Sequence, residues 1–324
     1  MTTTSPVRSR GAGVRAPNWR SAVVYIGFVL VFAFFAATQT EYFLTWTNLS
    51  NIVVQAAPIT IMAMGTVLVL AIGEIDLSIG STVAVAALVT AMTIQTTGSW
   101  WIGALAGLAT GAIAGAVNGL FITVVRLPSF LVTLATMGLL MGVARQLTGL
   151  QSVPVTEPSF TAVFGKGTLL GLPVFVWWTL SATVVAFHVL RQRRFGAHIL
   201  AVGDRTQSAR VSGIKVDRVR MAVFMASGGA AALAGILYTG RLQGARYTLG
   251  ESDLMTVLAA VIVGGTALSG GKASVIGALV GSLLMSMINN GLILAGLDVT
   301  DQMIVRGLII LVAVSLSLRG KKND

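Results

Sequence analysis

The sequence predicts an all-α protein that crosses a membrane about ten times. Two features of its composition carry this prediction: 55% of the 324 residues are hydrophobic, and only 10% are charged. The mean hydropathy is +0.86, whereas about 25% of the residues in a typical soluble domain are charged. A third feature is that long apolar segments recur along the whole chain. Because about 20 apolar residues make a helix that spans the hydrocarbon layer, most of this chain is predicted to lie within a membrane.

Ten apolar segments are predicted as spans. The first, SAVVYIGFVLVFAFFAA, follows basic residues as a signal peptide would, but it is longer than a signal core and nine further segments follow it. We therefore interpret it as an uncleaved span. The eighth segment is short and interrupted by glycine. The predicted spans are 21–38, 52–72, 81–96, 101–124, 129–147, 174–190, 220–240, 255–268, 274–296 and 303–318.

The basic residues predict the orientation of these spans. If the chain starts in the cytoplasm and alternates, all but five of its 22 Lys and Arg residues fall on the cytoplasmic side, which is the bias that sets membrane topology. Both termini are therefore predicted to be cytoplasmic, with a basic arm at 1–20, a transmembrane domain at 21–318 and a tail at 319–324. This topology accounts for the net charge of +11, so the charge does not indicate nucleic-acid binding.

Small residues recur at helical spacing within the predicted spans. In the fourth span, glycine occupies every fourth position from Gly103 to Gly115. Because small residues let membrane helices approach closely, we interpret this pattern as close helix packing.

The chain offers no catalytic or metal-binding constellation. It has no cysteine, and His188 and His198 are isolated from any second ligand at zinc-site spacing. The segment GTALSGGKAS at 265–274 resembles both a phosphate-binding loop and the LSGGQ signature of ATP-binding-cassette ATPases. However, an apolar segment lies on each side of it, which favours a glycine-rich turn between two spans. The sequence therefore predicts neither an enzyme nor a cofactor or metal held by this chain.

Polar residues inside or between spans are candidates for a solute pathway. Glu74 and Asp76 lie in GEIDLSIGS at 73–81, where acidic groups are costly if the segment reaches membrane depth. Asp76 or Ser78 would cap a helix starting near Ile79, or the segment lines a polar passage; both interpretations stay open. Asparagines in the spans either hydrogen-bond between helices or line that passage. The candidate pathway residues are Glu74, Asp76, Ser78, Asn118, Asn289 and Asn290.

Two parts of the chain resemble each other. IGEIDLSIGSTVAVAALV at 72–89 is similar to VGGTALSGGKASVIGALV at 263–280, and VNGL at 117–120 is similar to NNGL at 289–292. The two pairs have different sequence offsets, so they cannot come from a single ungapped repeat.

The loop at 191–219 is the longest basic connection of the chain. Asp204 is predicted to cap a short helix, TQSARVS, which Gly213 terminates as a C′ residue. Basic residues at a membrane surface attract anionic lipid headgroups. A capped helix is more than such attraction requires, so we favour contact with a protein on the cytoplasmic side.

Three stretches together resemble a known family: GEIDLSIGS, FGAHILAVGDRTQSARVSGI and AAVIVGGTALSGGKASVIGALVGSLLMSMINNGL. They are similar to the permease subunits of ribose-type sugar ABC importers, and the resemblance runs from about residue 45 to 318. It implies a ten-span permease of the bacterial inner membrane that pairs with a second copy or a paralogue. It also implies a cytoplasmic ATPase, often a tandem fusion of two cassettes, that binds ATP and Mg²⁺, and an external binding protein that delivers a pentose, hexose or polyol.

The resemblance also assigns a role to the loop helix. It implies that this helix is the segment that sits in a groove of the ATPase, with the candidate interface residues Gly196, Gly203, Asp204, Ala209, Arg210 and Gly213. Where family members often have Phe-Gly-Arg, Ala197 and His198 follow Phe195-Gly196 here. The alternative function is a secondary transporter driven by an ion gradient, for which only Glu74 and Asp76 offer the carboxylates.

Overall fold

The computed structural model describes residues 19–298, 300–305, 307–309 and 311, with side chains from Val24 onward. Most of the predicted basic arm, the C-terminal tail and part of the tenth predicted span lie outside these residues. The helices are α1 Trp19–Thr38, α2 Thr40–Phe43, α3 Trp46–Ala71, α4 Ile79–Thr97, α5 Trp100–Thr123, α6 Ser129–Thr148, α7 Pro158–Phe164, α8 Val174–Gln192, α9 Arg194–Asp204, α10 Thr206–Val211, α11 Val216–Leu242, α12 Asp253–Val263 and α13 Val275–Leu294.

The class predicted from the sequence is confirmed. Within the described residues, α3, α4, α5, α6, α8, α11 and α13 are long and apolar enough to cross a membrane, and 24–38 of α1 together with α12 form shorter apolar helices. Each of the first nine predicted spans therefore contains an apolar helix. The number of spans, ten, stays a prediction, because seven helices meet the length criterion. The eighth predicted span is the short helix α12, as its glycines indicated.

The remaining regular structure is small and lies in the connections. Strands β1 Val153–Pro154 and β4 Gly244–Ala245 pair antiparallel, which ties the loop after α6 to the end of α11. Strands β2 Thr168–Leu169 and β3 Leu172–Pro173 form a hairpin before α8.

Glycines allow α4, α5 and α11 to pack closely at the centre of the molecule. A Cβ atom added at Gly107 of α5 would overlap Thr90 Oγ1 of α4, and one added at Gly111 would overlap the carbonyl oxygen of Gly228 in α11. The glycine spacing in the fourth predicted span therefore marks helix contacts, as predicted. The largest group of buried apolar side chains is contributed mainly by α3 and α11.

Two connections, 72–78 after α3 and 264–274 after α12, begin in the same way and are called the first and second connection. Gly73 and Gly265 adopt φ angles of +77° and +90° as C′ residues of Schellman motifs. The motif bonds are Gly73 N to Leu70 O, Glu74 N to Val69 O, Gly265 N to Ile262 O and Thr266 N to Val261 O. A serine, Ser78 or Ser274, then stands at the N-cap of the following helix. The sequence similarity of the two segments thus has a counterpart in their backbone structure.

Candidate functional site

The long basic loop folds as two helices, α9 and α10, which together form the coupling segment. The prediction that Asp204 caps the loop helix is wrong, because Asp204 is the last residue of α9. Ile199 and Val202 are buried beneath α9, and this packing continues the helix up to Asp204. The extended backbone of Arg205 separates the two helices, and its side chain makes no capping hydrogen bond to α10.

The other end of α10 is as predicted. Gly213 adopts a φ angle of +83°, and a Schellman motif closes the helix. In this motif Gly213 N donates to Arg210 O at 3.0 Å and Ile214 N donates to Ala209 O at 3.0 Å. This feature was predictable because a C′ glycine acts through backbone groups of its own helix.

The helix α10 buries one side chain and leaves others exposed. Ala209 is buried against the rest of the chain, whereas Val211 is 86% exposed. Arg210 is also exposed, and its guanidinium group forms an ion pair with Asp217 of α11 at 3.1 Å. The sequence analysis did not single out Val211, although an apolar side chain at the end of an otherwise polar, basic helix was visible there.

Gly203 of α9 lies against the end of α3 and the second connection. A Cβ atom added at Gly203 would overlap the carbonyl oxygen of Ala71 and lie 2.6 Å from the amide nitrogen of Gly271. Those two backbone groups are themselves joined, because Gly271 N donates to Ala71 O at 3.0 Å. The coupling segment thus contacts the end of α3 and the second connection at the point where they meet.

The six predicted interface residues fall into two groups. Asp204, Arg210 and Gly213 are exposed on the surface of the coupling segment. Gly196, Gly203 and Ala209 instead face the rest of the chain: Gly196 allows α9 to turn closely past the carbonyl oxygen of Leu190. The first group is accessible to a partner, and the second group holds the segment in place.

Glu74 in the first connection forms an ion pair with Arg220 of α11. The Glu74 Oε1 to Arg220 Nη2 distance is 2.9 Å, and the two side chains are only 14% and 21% exposed. No basic residue lies near Glu74 in the sequence, so its partner was visible only once α3 and α11 were placed together.

A chain of buried hydrogen bonds starts at Asp76, which is 5% exposed. One carboxylate oxygen of Asp76 accepts from the backbone nitrogen of Ser78 at 3.0 Å and from its hydroxyl at 2.6 Å. The other accepts from Ser227 Oγ of α11 at 2.9 Å. Ser78 Oγ accepts from Asn118 Nδ2 of α5 at 2.8 Å, and Asn118 Oδ1 accepts from Thr136 Oγ1 of α6 at 2.7 Å.

These bonds decide part of the question that the sequence left open. Ser78 stands at the N-cap of α4, but its side chain makes no capping hydrogen bond, and Asp76 bonds to Ser78 and Ser227 rather than to the first turn of that helix. The position of Ser78 at the N-cap is therefore as predicted, whereas neither Ser78 nor Asp76 forms a side-chain capping hydrogen bond with α4. The first connection is instead fastened to α5, α6 and α11 through polar side chains.

Asn290 belongs to a separate arrangement. It exchanges two amide hydrogen bonds with Asn48 of α3, at 3.0 and 2.8 Å, so it joins α3 to α13. Asn289, its neighbour, is half-buried in α13. The six candidate pathway residues thus do not form one cluster, and whether any of them contacts a solute stays a prediction.

Long apolar helices and glycine-lined helix contacts define a multi-pass membrane protein. Within the described residues no group of three or more His, Cys, Asp or Glu residues is arranged to hold a metal ion. Comparisons with known proteins identify the family to which this membrane protein belongs.

The family model described as "Branched-chain amino acid transport system / permease component" matches residues 48–314. The chain is 37% identical over 289 residues to the ribose import permease protein RbsC of Escherichia coli (strain K12), covering 88% of this chain and 90% of that protein. It is 36% identical over 275 residues to RbsC of Bacillus subtilis (strain 168), covering 85% of each. It is 32% identical over 310 residues to the L-arabinose ABC transporter permease protein AraH of Azospirillum brasilense, covering 96% of this chain and 90% of that protein.

No solved structure matches the chain. The family match and the relatives nevertheless show that the chain belongs to the permease subunits of ribose-type ABC importers, which confirms the resemblance drawn from the sequence. It is a multi-pass protein of the inner membrane and a transport component rather than a catalytic subunit.

Proposed function

We propose that this chain carries a sugar, namely a pentose, a hexose or a related polyol, across the inner membrane in an ATP-driven importer. The names of its relatives, which import ribose and L-arabinose, support this substrate class. In the proposed assembly the chain pairs with a second permease copy or a paralogue. A separate cytoplasmic ATPase binds ATP and Mg²⁺, and an external binding protein delivers the sugar. The chain itself holds no cofactor.

One observation carries the coupling role: α10 is exposed on one side, and the adjoining α9 is in direct contact with the end of α3 and with the second connection. A partner that moves α10 therefore also displaces Gly203, which lies against the end of α3 and the amide of Gly271. The Arg210–Asp217 ion pair links the same helix to the first turn of α11. A displacement of α10 by the bound ATPase would therefore be transmitted to the transmembrane helices through these contacts.

α11 extends this route into the membrane. Its Arg220 holds Glu74 and its Ser227 holds Asp76. Because seven residues make about two helical turns, these two side chains lie on one face of α11. A shift of α11 would therefore move the whole first connection and change the opening of the pathway on one side of the membrane. The ATPase can shift this equilibrium only by its differential affinity for the two states.

The predicted topology of ten spans with both termini in the cytoplasm fits this arrangement. Arg126, in the connection between α5 and α6, and Arg210, in α10, line the same cleft. Alternation through the predicted spans puts both residues on the cytoplasmic side, so their proximity supports the proposed orientation.

The test is transport in proteoliposomes that contain the permease, its ATPase and the binding protein. The double variant Arg210→Glu/Gly213→Val should insert normally and hydrolyse ATP without driving uptake. Unchanged uptake by this variant would contradict the coupling role of α10. Uptake by this chain alone under an ion gradient, with no ATPase, would instead establish a secondary transporter; no observation favours that alternative, because Glu74 and Asp76 are already bound by Arg220 and Ser227.

The sugar itself is best identified through the binding protein. Thermal-shift screening of the cognate binding protein against pentoses, hexoses and polyols should give one stabilising class. Proteoliposome uptake of that class then ties the result to this permease.

A further inference from the structure

A cleft of about 320 Å³ lies where α5 ends, beside α10 and the start of α11. Five charged side chains line it: Glu74, Arg126, Arg210, Asp217 and Arg220. The proposed transport mechanism gives Arg126 no role beyond its support for the orientation of the spans.

The charges of the cleft are unequally matched. Arg220 is paired with Glu74 and Arg210 with Asp217. Within the described part of the chain, Arg126 has neither an ion pair nor a hydrogen bond, so the cleft carries one uncompensated positive charge.

Arg126 follows the end of α5 and adopts a φ angle of +64°, a backbone conformation that favours glycine. A second arginine of the cleft is not fully satisfied by its partner. Nε of Arg220 is buried and has no hydrogen-bond partner, although Arg220 Nη2 pairs with Glu74.

The position of the cleft indicates which anion would balance its positive charge. The chain next to Arg126 carries apolar side chains at its surface: Val124 is 71% exposed, and Val125, Phe130 and Leu131 are about half-exposed. In a multi-pass protein such side chains face lipid. The cleft thus lies where a lipid-facing surface meets the predicted cytoplasmic side, and basic pockets in this position bind anionic lipid headgroups.

We propose that this cleft binds the phosphate group of an anionic ligand, with Arg126 as its main contact and an anionic membrane phospholipid as its source. The planar guanidinium group matches two phosphate oxygens at once. Glu74 and Asp217 keep the net charge of the cleft at +1, which suits the single negative charge of a phosphodiester better than the two charges of a phosphate monoester. Four of the five charged side chains also belong to the proposed coupling route, but the binding experiment needs neither the ATPase nor sugar uptake.

The experiment is native mass spectrometry of the purified full-length chain in neutral detergent, titrated with dioctanoyl phosphatidylglycerol. Dioctanoyl phosphatidylcholine tests the need for net negative charge, and inorganic phosphate tests a soluble source. Arg126→Gln should weaken phosphatidylglycerol binding at least about tenfold, a ratio that corresponds to 1.4 kcal/mol. Arg126→Gly should have the same effect with an intact fold, because glycine accepts a positive φ angle without strain. The control is Arg191→Gln, which removes an exposed arginine at the end of α8 and should leave binding within about twofold.

Saturable phosphatidylglycerol binding that both Arg126 variants weaken and Arg191→Gln spares would support the proposal. Saturable binding of inorganic phosphate alone, with the same dependence on Arg126, would also support the phosphate site and assign it a soluble ligand. Three results would overturn the proposal: no saturable binding of either probe, equal affinity for phosphatidylcholine, or equal weakening by Arg191→Gln.

Discussion

A methyl group added at Gly203 has no free space to occupy, and this makes Gly203→Ala a direct probe of the contact that α9 makes with the end of α3 and the second connection. The atoms that it would meet are the carbonyl oxygen of Ala71 and the amide nitrogen of Gly271. Both belong to the backbone, so neither can rotate away as a flexible side chain would. The new methyl group must therefore displace α9 or separate the hydrogen bond that joins Gly271 to Ala71.

The expected cost follows from this geometry. Adding a methylene-sized group to a well-packed interior destabilises a protein by about 1–3 kcal/mol. Alanine also improves helix propensity over glycine, by at most about 1 kcal/mol. Gly142→Ala is a control for the second effect, because Gly142 lies within α6 and nothing is within 4 Å of its added Cβ. The difference between the two variants, about 1–3 kcal/mol in the free energy of unfolding, isolates the clash.

The measurement is unfolding of the purified chain by a denaturing detergent, together with sugar uptake per ATP hydrolysed in proteoliposomes. Gly203→Ala should be less stable than Gly142→Ala and should transport less sugar per ATP, because the displaced segment no longer packs against the end of α3 and the second connection. If the two alanine variants were equally stable and equally coupled, the contact at Gly203 would carry no mechanical role.

Three further predictions concern other contacts of the same region. Ser227→Ala removes a hydrogen-bond donor to the buried carboxylate of Asp76 and should lower the unfolding free energy by about 1–3 kcal/mol. Ser286→Ala is the control, because the buried Ser286 hydroxyl has no hydrogen-bond partner and its loss should be neutral or stabilising. Reversing both charges in Glu74→Arg/Arg220→Glu should recover part of the stability lost in each single variant. A double-mutant cycle should give a coupling energy of about 0.5–3 kcal/mol. If the stability losses of the two single variants simply added in the double variant, the ion pair would be contradicted. Val211→Asp should weaken co-purification of the ATPase without changing the unfolding free energy, and Val211→Ala should weaken co-purification less. If both variants retained the ATPase as the unaltered chain does, α10 would not be part of the interface.

The membrane helices were predictable from the sequence because a bilayer-spanning helix needs about 20 consecutive apolar residues, and such a run is visible within the segment itself. The C′ role of Gly213 was predictable for a related reason, since a Schellman motif uses only nearby backbone groups. The role of Asp204 was mispredicted because two signals compete there. An N-cap residue type stands before TQSARVS, but the buried side chains of Ile199 and Val202 extend the preceding helix through that position.

The side-chain contacts of Glu74 and Asp76 in the first connection were not predictable, for a different reason. Glu74 and Asp76 are adjacent in sequence to apolar residues only, and their partners, Arg220 and Ser227, lie on a helix far along the chain. Acidic groups at such a site must be satisfied by something, so the sequence indicated that partners exist but not which residues they are.

The placement of those partners has a mechanical consequence. Because Glu74 and Asp76 bind α11 at two successive levels, rotation of α11 about its own axis would strain both bonds, whereas a rigid shift of α11 together with the first connection would preserve both. The contact of Gly203 with the end of α3 favours the same rigid shift, since it pushes on the element from which the first connection starts. The coupling segment, the first connection and the N-terminal half of α11 are therefore expected to move as one body. The hydrogen bonds of Asn118 to Ser78 and Thr136 mark where that body meets α5 and α6.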